Sequence, residues 1–375
     1  MKHKKHIGKK VKTYILQIQP WIGKQELKEI TEVLQSKYIT ENSVTKKFET
    51  KIQELTGAKH AIATTSGTTA LYCGLKALNI GYGDEVIVPN LTFIASSNAV
   101  IMAGGKPVLC EVEKNTLCLD VKEAEALITE NTKAIMPVHL YGQSADMDAI
   151  NELASKYNLK VIEDAAEAIG ATFREKHLGL WGDVGAISFF ANKTITCGEG
   201  GIILTNNDII AQTCRRLKNH GRDRKGTFIH EHIGFNFAFT DMQAAIGIAQ
   251  LKKFPKILKR KQEIFDAYAK EFTKIPQLKM ISGDYRCIPV HWFTVCYAEK
   301  QPELVNFLSE NGIQTRPFFY PLHLQPCYQN LFNYKKEYPI SIEAYEKGIA
   351  LPSSYKLTKK EQKYIINKIR QFYQT

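Results

Sequence analysis

The sequence predicts an α/β protein with two domains: a large one built on a mostly parallel sheet and a smaller α+β one at the C-terminus. Short runs rich in β-branched residues alternate with helical patterns from residue 61 to residue 219, which is typical of a parallel sheet covered by helices on both faces. From about residue 240 one long helical region follows, and then mixed short segments. The 375 residues, 44% of them hydrophobic and 23% charged, suffice to bury a core.

The predicted elements of the large domain follow in order along the chain. Helical patterns come first at 24–36 and 45–56, and Gly57 ends the second. The predicted strands lie at 61–64, 85–89, 107–112, 134–140, 160–163, 186–190 and 201–205. The helical patterns between them lie at 69–79, 95–103, 145–157 and 208–219.

The C-terminal third has a different pattern. Its predicted elements are a long helix at 241–272, a pair of strands near 290–298, and helices near 302–311 and 359–373. We therefore divide the chain into a basic leader (1–17), a large domain (18–255) and a small domain (256–375).

The net charge of +12 raises the question of an anionic partner. Much of the excess lies in residues 2–12 and in the helical stretch 252–261. Such runs are typical of solvated tails and exposed helix faces. We therefore expect no nucleic-acid partner, although a phosphate-rich substrate would suit the charge.

Cysteine spacing and hydropathy exclude further classes. The eight cysteines form no CxxC pair and no zinc-type cluster with histidine, so we expect reduced thiols and no metal. No apolar run approaches the ~20 residues that span a bilayer, and the N-terminus lacks the apolar stretch of a signal peptide. We expect a cytoplasmic protein without a membrane partner.

Residues 65–71 (TSGTTAL) join a predicted strand to a helix, at the edge where open α/β sheets bind ligands. Gly67 lets the backbone approach a ligand closely. The free N–H groups of the helix start and the hydroxyls of Thr68 and Thr69 form either an anion cradle or an ordinary helix cap.

Acids and a lysine follow two other strands. The strand at 160–163 leads into Asp164 and Glu167. A carboxylate there can keep a heterocyclic nitrogen protonated, or it can cap a helix. Lys193 follows the strand at 186–190 and precedes a glycine-rich turn. Because desolvation lowers the pKa of an amine, a lysine so placed can attack a carbonyl, although most lysines near strand ends are surface residues.

Two further candidate residues are Phe93, which follows the strand at 85–89, and Asn236, which precedes the long helix. Phe93 can stack on a flat cofactor or pack in the core. Asn236, in GFNF, precedes the helix at 241, where a simple turn is the alternative. Together these features supply what pyridoxal 5'-phosphate needs: an amine, an acid for the ring nitrogen, a phosphate cradle and an aromatic cover.

The motifs of the chain resemble, as a set, those of the DegT/DnrJ/EryC1/StrS family of pyridoxal-phosphate-dependent nucleotide-sugar aminotransferases. They are SGTTAL, VIEDAAEAIGA, SFFANKTITCGEGG, GFNF with TDMQAAIGIAQL, and TRPFFYPLH. The resemblance begins near residue 18, reaches the C-terminus, and implies the type I aminotransferase fold. SFFANKTITCGEGG, VHLYG and TRPFFYP look most like the branch that aminates C4 of a GDP-linked 4-keto-6-deoxy sugar. The resemblance also implies that the amino donor is an amino acid, namely glutamate, and that the protein acts in the biosynthesis of a polysaccharide such as O-antigen.

The resemblance also implies roles for single residues. Lys193 would carry the cofactor as a Schiff base and shuttle the proton, Asp164 would pair with the pyridine nitrogen, and Phe93 would stack on the ring. Glu167 would lie near the phenolic oxygen. The implied phosphate contacts are Gly67, Thr68, Thr69, Ser188 and, from the neighbouring subunit of a homodimer, Asn236. The implied sugar-nucleotide contacts are Arg316, Tyr320 and His323.

One position departs from the family pattern, and several functions stay open. Relatives usually carry an arginine two residues after the motif asparagine, and Ala238 stands there. Because Lys193 is present, the dehydratase branch, in which histidine replaces it, is disfavoured. The alternatives are a nucleotide-sugar 3-aminotransferase, an amino-acid-type pyridoxal-phosphate enzyme, and a regulatory protein that senses a sugar nucleotide.

Overall fold

A computed structural model of the chain describes residues 14–223, 228–329 and 336–374. Most of the predicted basic leader therefore lies outside the described residues. The helices are α1 Lys24–Ser36, α2 Ser43–Thr56, α3 Gly67–Ala77, α4 Ala95–Ala103, α5 Val121–Ala126, α6 Met147–Tyr157, α7 Asp208–Lys218, α8 Asp241–Phe272, α9 Gln301–Glu310, α10 Pro326–Gln329, α11 Pro339–Lys347 and α12 Lys359–Gln374. The strands are β1 His60–Thr64, β2 Glu85–Pro89, β3 Lys106–Cys110, β4 Thr132–Ile135, β5 Lys160–Asp164, β6 Thr172–Phe173, β7 Lys176–His177, β8 Val184–Ser188, β9 Gly201–Thr205, β10 Leu278–Met280, β11 Cys287–Ile288, β12 Thr294–Ala298, β13 Arg316–Pro317 and β14 Gly348–Leu351.

The seven-stranded sheet of the large domain has the order β1-β9-β8-β5-β4-β2-β3. Neighbouring strands from β8 to β3 pair in parallel, and β9 runs antiparallel to both of its neighbours. Strands β2, β8 and β9 are buried along their whole length, as expected when helices cover both faces. The predicted α/β class with a mostly parallel sheet is confirmed.

Helix α8 begins and ends where the sequence predicted. Its N-terminus is fixed by Thr240 and Gln243, which satisfy each other's backbone N–H groups in a capping box. The carboxylate of Asp241 accepts hydrogen bonds from the backbone N–H groups of Asn42 and Thr45. Asp241 thereby holds the start of α2. Helix α8 also packs against both α1 and α2, and so ties the N-terminal helices to the large domain.

The small domain has a four-stranded antiparallel sheet with the order β10-β12-β14-β13. The predicted pair of strands near 290–298 is wrong in detail, because only Thr294–Ala298 forms a strand. Before it, the Trp292 N–H donates to the Val290 carbonyl across a tight turn. Both side chains are buried, so an apolar run that looked like a strand instead packs as a turn.

The predicted strand at 134–140 is too long for a similar reason. Strand β4 ends at Ile135, and Leu140–Gly142 forms a short 3-10 turn. Apolar side chains are buried in both segments, and burial alone does not distinguish a strand from a buried turn.

The proposed boundary between residues 255 and 256 falls inside the continuous helix α8, and the division into domains stays a prediction. A core cluster of the C-terminal third joins the second half of α8 to α9, β12, β14 and α12. Among the described residues, no helix is both long and apolar enough to cross a bilayer.

Candidate active site

A cavity of about 440 Å³ opens at the carboxyl ends of the strands of the large sheet. Segments that follow β1, β2, β5 and β8 form one side, as expected for an open α/β sheet. The turn before β12, together with β13 and β14, forms the other. The sequence-predicted residues that line the cavity are Gly67, Thr68, Phe93, Asp164, Glu167, Ser188, Lys193 and Arg316.

The start of α3 forms the floor of one end of the cavity. Ser66 is the N-cap, and it exchanges hydrogen bonds with Thr69 in a capping box. The hydroxyl and the backbone N–H of Thr69 are thus used in the helix cap, whereas Gly67 and Thr68 line the cavity. A Cβ atom on residue 67 would lie 3.0 Å from the Ser188 Cβ atom, so only glycine fits without displacing Ser188. The first N–H groups of a helix lack intrahelical partners, which makes this end suited to an anion.

Asp164 ends β5 with its carboxylate in the cavity wall. Its Oδ2 atom accepts a hydrogen bond from the Ser96 hydroxyl at 2.7 Å, and Oδ1 accepts one from the Ala166 N–H at 3.1 Å. Its backbone carbonyl accepts the His139 N–H at 3.0 Å. The orientation of the carboxylate is therefore set by bonds to side chain and backbone together.

The preceding residue, Glu163, has no contact with the cavity. Its carboxylate accepts hydrogen bonds from the N–H groups of Gly179 and Gly182, each at 2.7 Å, and lies 2.9 Å from His139 Nε2. Both Glu163 and His139 are fully buried. Because successive side chains of a strand point to opposite faces, one of the two adjacent acids faces the ligand cavity and the other braces the loop around residue 180.

Lys193 projects into the cavity beside a buried acid. Its Nζ atom lies 3.3 Å from Glu167 Oε1 and 4.1 Å from the centre of the Trp292 ring. The other oxygen of Glu167 accepts the Tyr141 N–H at 2.8 Å. Burial raises the pKa of Glu167 above its ordinary value, and the charge of Asp164 adds to this, while Lys193 and the Tyr141 N–H oppose it.

Aromatic rings form the rest of the wall. Tyr141 lies parallel to Phe319 with ring centres 5.7 Å apart, and Phe319 also contacts Phe93 at 5.9 Å. Tyr141 has the left-handed conformation (φ 55°, ψ 21°), which is rare for a bulky residue and concentrates at functional sites. Phe93 is 57% exposed, so a flat ligand can cover it without displacing core side chains.

Four sequence-predicted site residues do not line the cavity. Thr69 is used in the helix cap, and Asn236 is exposed in the segment before α8. The Tyr320 ring packs against Tyr345. His323 is bonded to Asn90, and burial lowers its pKa.

Sequence reasoning also missed cavity residues that come from distant segments. Tyr141, Trp292 and Phe319 were not singled out, because nothing in their local sequence separates a cavity wall from a core. Gln17 was placed in the leader, yet it is 1% exposed and lines the cavity. Its Nε2 atom donates to the Ala350 carbonyl at 3.1 Å, and its Oε1 atom has no partner among the described residues. The apolar residues of 14–18 (YILQI), which contrast with the basic residues before them, were the signal that this segment packs against the fold.

Comparison with known proteins places these features in one family. The sequence profile of the DegT/DnrJ/EryC1/StrS aminotransferase family matches residues 20–370. The chain is 37% identical over 363 residues to the GDP-perosamine synthase of Vibrio cholerae, covering 95% of this chain and 98% of that protein. It is 44% identical over 295 residues to that of Caulobacter vibrioides, covering 76% and 78%. The solved structure named "Putative sugar aminotransferase Spr1654 from Streptococcus pneumoniae, PLP-form" superposes with a TM-score of 0.91 at 27% identity, covering 96% of this chain and 98% of that one.

Proposed function

Because the chain belongs to the DegT/DnrJ/EryC1/StrS aminotransferase family, we propose that it transfers an amino group from an amino acid to a nucleotide-linked 4-keto-6-deoxy sugar. The cofactor is pyridoxal phosphate, and the donor that we propose is glutamate. The observation that carries the proposal is the meeting of Lys193, Asp164 and the start of α3 in one cavity, although they follow three different strands.

The residues around the cavity fit pyridoxal phosphate. The helix start at Gly67 and Thr68, with Ser188 opposite, suits a phosphate. A Cβ atom on residue 67 would narrow the space between the helix start and Ser188. Thr69 supports this end through its cap, and Phe93 offers a free aromatic face. Asp164 offers an oriented carboxylate to a ring nitrogen, and Glu167 lies beside the lysine.

In the mechanism that we propose, the residues of the chain bind, orient and move protons. When bound, pyridoxal phosphate supplies an electron sink for the bond changes at the substrate carbon. Asp164 holds the proton on the ring nitrogen, because the pair of opposite charges favours the protonated ring. Lys193 Nζ removes and returns the proton at the substrate carbon. The aromatic wall of Tyr141, Trp292 and Phe319 keeps bulk water from that carbon.

The sugar is proposed from the relatives and from one cation in the cavity. Two relatives that share 37% and 44% of their aligned residues with this chain are GDP-perosamine synthases. Arg316 lines the cavity and forms no ion pair with any residue that the structure describes, so it is available to an anionic group of a substrate. Tyr320 and His323 lie outside the cavity, and we retain them as contacts of the nucleotide part of an extended substrate.

We propose that the working unit is a homodimer with shared active sites. Asn236 does not line the cavity of its own chain, and several apolar side chains near it are exposed. They are Phe228, Ile229, Ile233 and Phe235. A second copy covering this surface would bury them and would bring Asn236 to the phosphate end of the neighbouring cavity. A cytoplasmic location and a role in making a surface polysaccharide such as O-antigen belong to the same proposal.

A panel of keto-sugar nucleotides tests the function. The purified protein, loaded with pyridoxal phosphate, is incubated with glutamate and with 4-keto and 3-keto sugars linked to GDP, UDP or dTDP, and the products are identified by NMR. We expect an amine at C4 of a 4-keto-6-deoxy sugar and the greatest rate with the GDP-linked one. Amination at C3, or no transfer to any sugar of the panel, would contradict the proposal.

A further inference from the structure

Glu167 is a buried acid whose only cationic contact among the described residues is the lysine of the active site. Its side chain is 6% exposed, and its Oε1 atom lies 3.3 Å from Lys193 Nζ. Its other oxygen is satisfied by the Tyr141 N–H at 2.8 Å. The charge state of this acid therefore depends on the charge state of Lys193.

Four further charged or titratable groups line the cavity with this pair, and they are Asp164, Glu199, Tyr141 and Arg316. Asp164, at the end of β5, carries a second carboxylate, which disfavours charge on Glu167. The Tyr141 phenol is buried, which raises its pKa, and the Glu167 charge raises it further while Arg316 of β13 opposes this. The phenol therefore stays neutral and adds no negative charge beside Glu167.

These contacts give Glu167 two protonation states, which depend on the charge of Lys193. While Lys193 is an ammonium, the ion pair stabilises the carboxylate, because opposite charges at this distance attract strongly in a buried site. When the Lys193 nitrogen loses its charge, a Glu167 carboxylate would be buried beside the carboxylate of Asp164. Its remaining hydrogen-bond donor would be the uncharged backbone N–H of Tyr141. An unpaired buried charge is costly, and a group so placed takes up a proton instead.

We propose that Glu167 stores the proton that Lys193 gives up, and returns it when the lysine nitrogen is charged again. In the transfer, the N–H bond at Nζ breaks, an O–H bond forms at Glu167 Oε1, and the freed electron pair stays on the nitrogen as its nucleophilic lone pair. No other bond changes, and no proton has to leave the cavity. The use of this proton in catalysis rests on the proposed function, whereas its position on Glu167 does not.

Difference infrared spectroscopy tests the position of the proton, because a protonated carboxyl group has a carbonyl stretch that a carboxylate lacks. In Lys193→Met, which removes the cation, we expect the band of a protonated carboxyl at neutral pH, absent from the double variant Lys193→Met/Glu167→Gln. Lys193→Arg, which keeps a positive charge at this position, is the matched control and should lack the band. These samples need neither cofactor nor sugar, so they remain informative if the proposed function fails.

The unsubstituted protein provides a second test if Lys193→Met does not fold. Addition of pyridoxal phosphate, at a pH at which the absorption of the bound cofactor shows an uncharged Lys193 nitrogen, should produce the same band in the unsubstituted protein and in Glu199→Gln, but not in Glu167→Gln. Glu199 is a suitable control because it lines the same cavity without a described contact to Lys193. The proposal is overturned if the band persists in Glu167→Gln, or if it is absent from both Lys193→Met and the cofactor-loaded protein.

Discussion

At the scale of single residues, two adjacent acids of β5 have different tasks because a strand points them to opposite faces. Asp164 faces the cavity and is oriented by Ser96 and Ala166. Glu163 faces the interior and accepts hydrogen bonds from two backbone N–H groups and His139. The sequence allowed the assignment of Asp164 to the site, because it is the last residue of the strand. The bonds that orient it were not predictable, since Ser96 is distant in the chain.

Amide substitutions at these two positions should separate activity from stability. Asp164→Asn keeps the shape of the side chain but removes the charge that we propose holds the ring proton, and we expect kcat to fall on the order of 10³-fold with little change in Tm. Glu163→Gln should instead destabilise the fold by about 3 kcal/mol, because a buried, hydrogen-bonded charge loses its bonds. Steady-state kinetics and urea unfolding measure the two effects. Equal loss of activity in both variants at full cofactor occupancy would refute this division.

At the scale of elements, the predicted order of strands and helices was largely correct, but α5, α11, β13 and β14 were not predicted. Two predicted strands also extended into apolar segments that form turns. Residues 136–140 and 290–293 are rich in apolar side chains, and both are buried beside the cavity. Local sequence shows that such segments are buried but not whether they pair with a sheet. Tyr141 and Trp292 lie in or next to these turns, which is why the aromatic wall of the site could not be predicted.

Helix α8 carries a buried lysine that holds the segments of this wall in place. Lys261 Nζ donates to the carbonyls of Trp292 at 2.8 Å and Ser353 at 3.3 Å. It has no acidic partner among the described residues, and burial lowers its pKa from an ordinary value of 10.5 to about 7. In the unfolded chain this lysine keeps its ordinary pKa.

The stability of the fold should therefore gain a component from Lys261 that rises with pH. Between pH 7 and 10.5 the unfolded chain binds more protons at this residue than the folded one, so the free energy of unfolding increases with pH by up to about 1.4 kcal/mol per pH unit. Urea unfolding from pH 7 to 9.5 should show this component in the unsubstituted protein and in Lys259→Met, an exposed control on the same helix. If Lys261→Met has the same pH dependence as both, the buried lysine does not titrate as described.

At the scale of the whole molecule, the cavity is assembled from parts of the chain that are far apart in sequence. Gln17 precedes the first helix, yet it contacts Ala350 of β14 at the cavity wall. The motifs after the strands of the large sheet predicted the half of the cavity that suits the cofactor, because parallel strands bring their carboxyl ends to one edge. The other half depends on how the small domain and the N-terminal segment fold back, and of its residues only Arg316 was predicted, from the resemblance of its motif.

A shared active site predicts that two inactive variants restore each other. If Asn236 acts in the cavity of the partner subunit, a hybrid dimer of Lys193→Ala and Asn236→Ala subunits has one cavity without either substitution. With equal co-expression, half of the dimers are hybrids and half of their cavities are intact, so we expect about a quarter of the wild-type activity. Activity of the mixture that stays at the level of the separate variants would place Asn236 outside the partner's cavity.

The assignment of Lys193 is tested by locating the covalent bond between the chain and its cofactor. The loaded protein is reduced with sodium borohydride, digested, and analysed by peptide mass spectrometry. We predict that Lys193 alone carries the pyridoxyl phosphate mass and that Lys193→Ala carries none. Labelling of a different lysine, or of none in a protein that transfers amino groups, would contradict the assignment of Lys193 and the mechanism built on it.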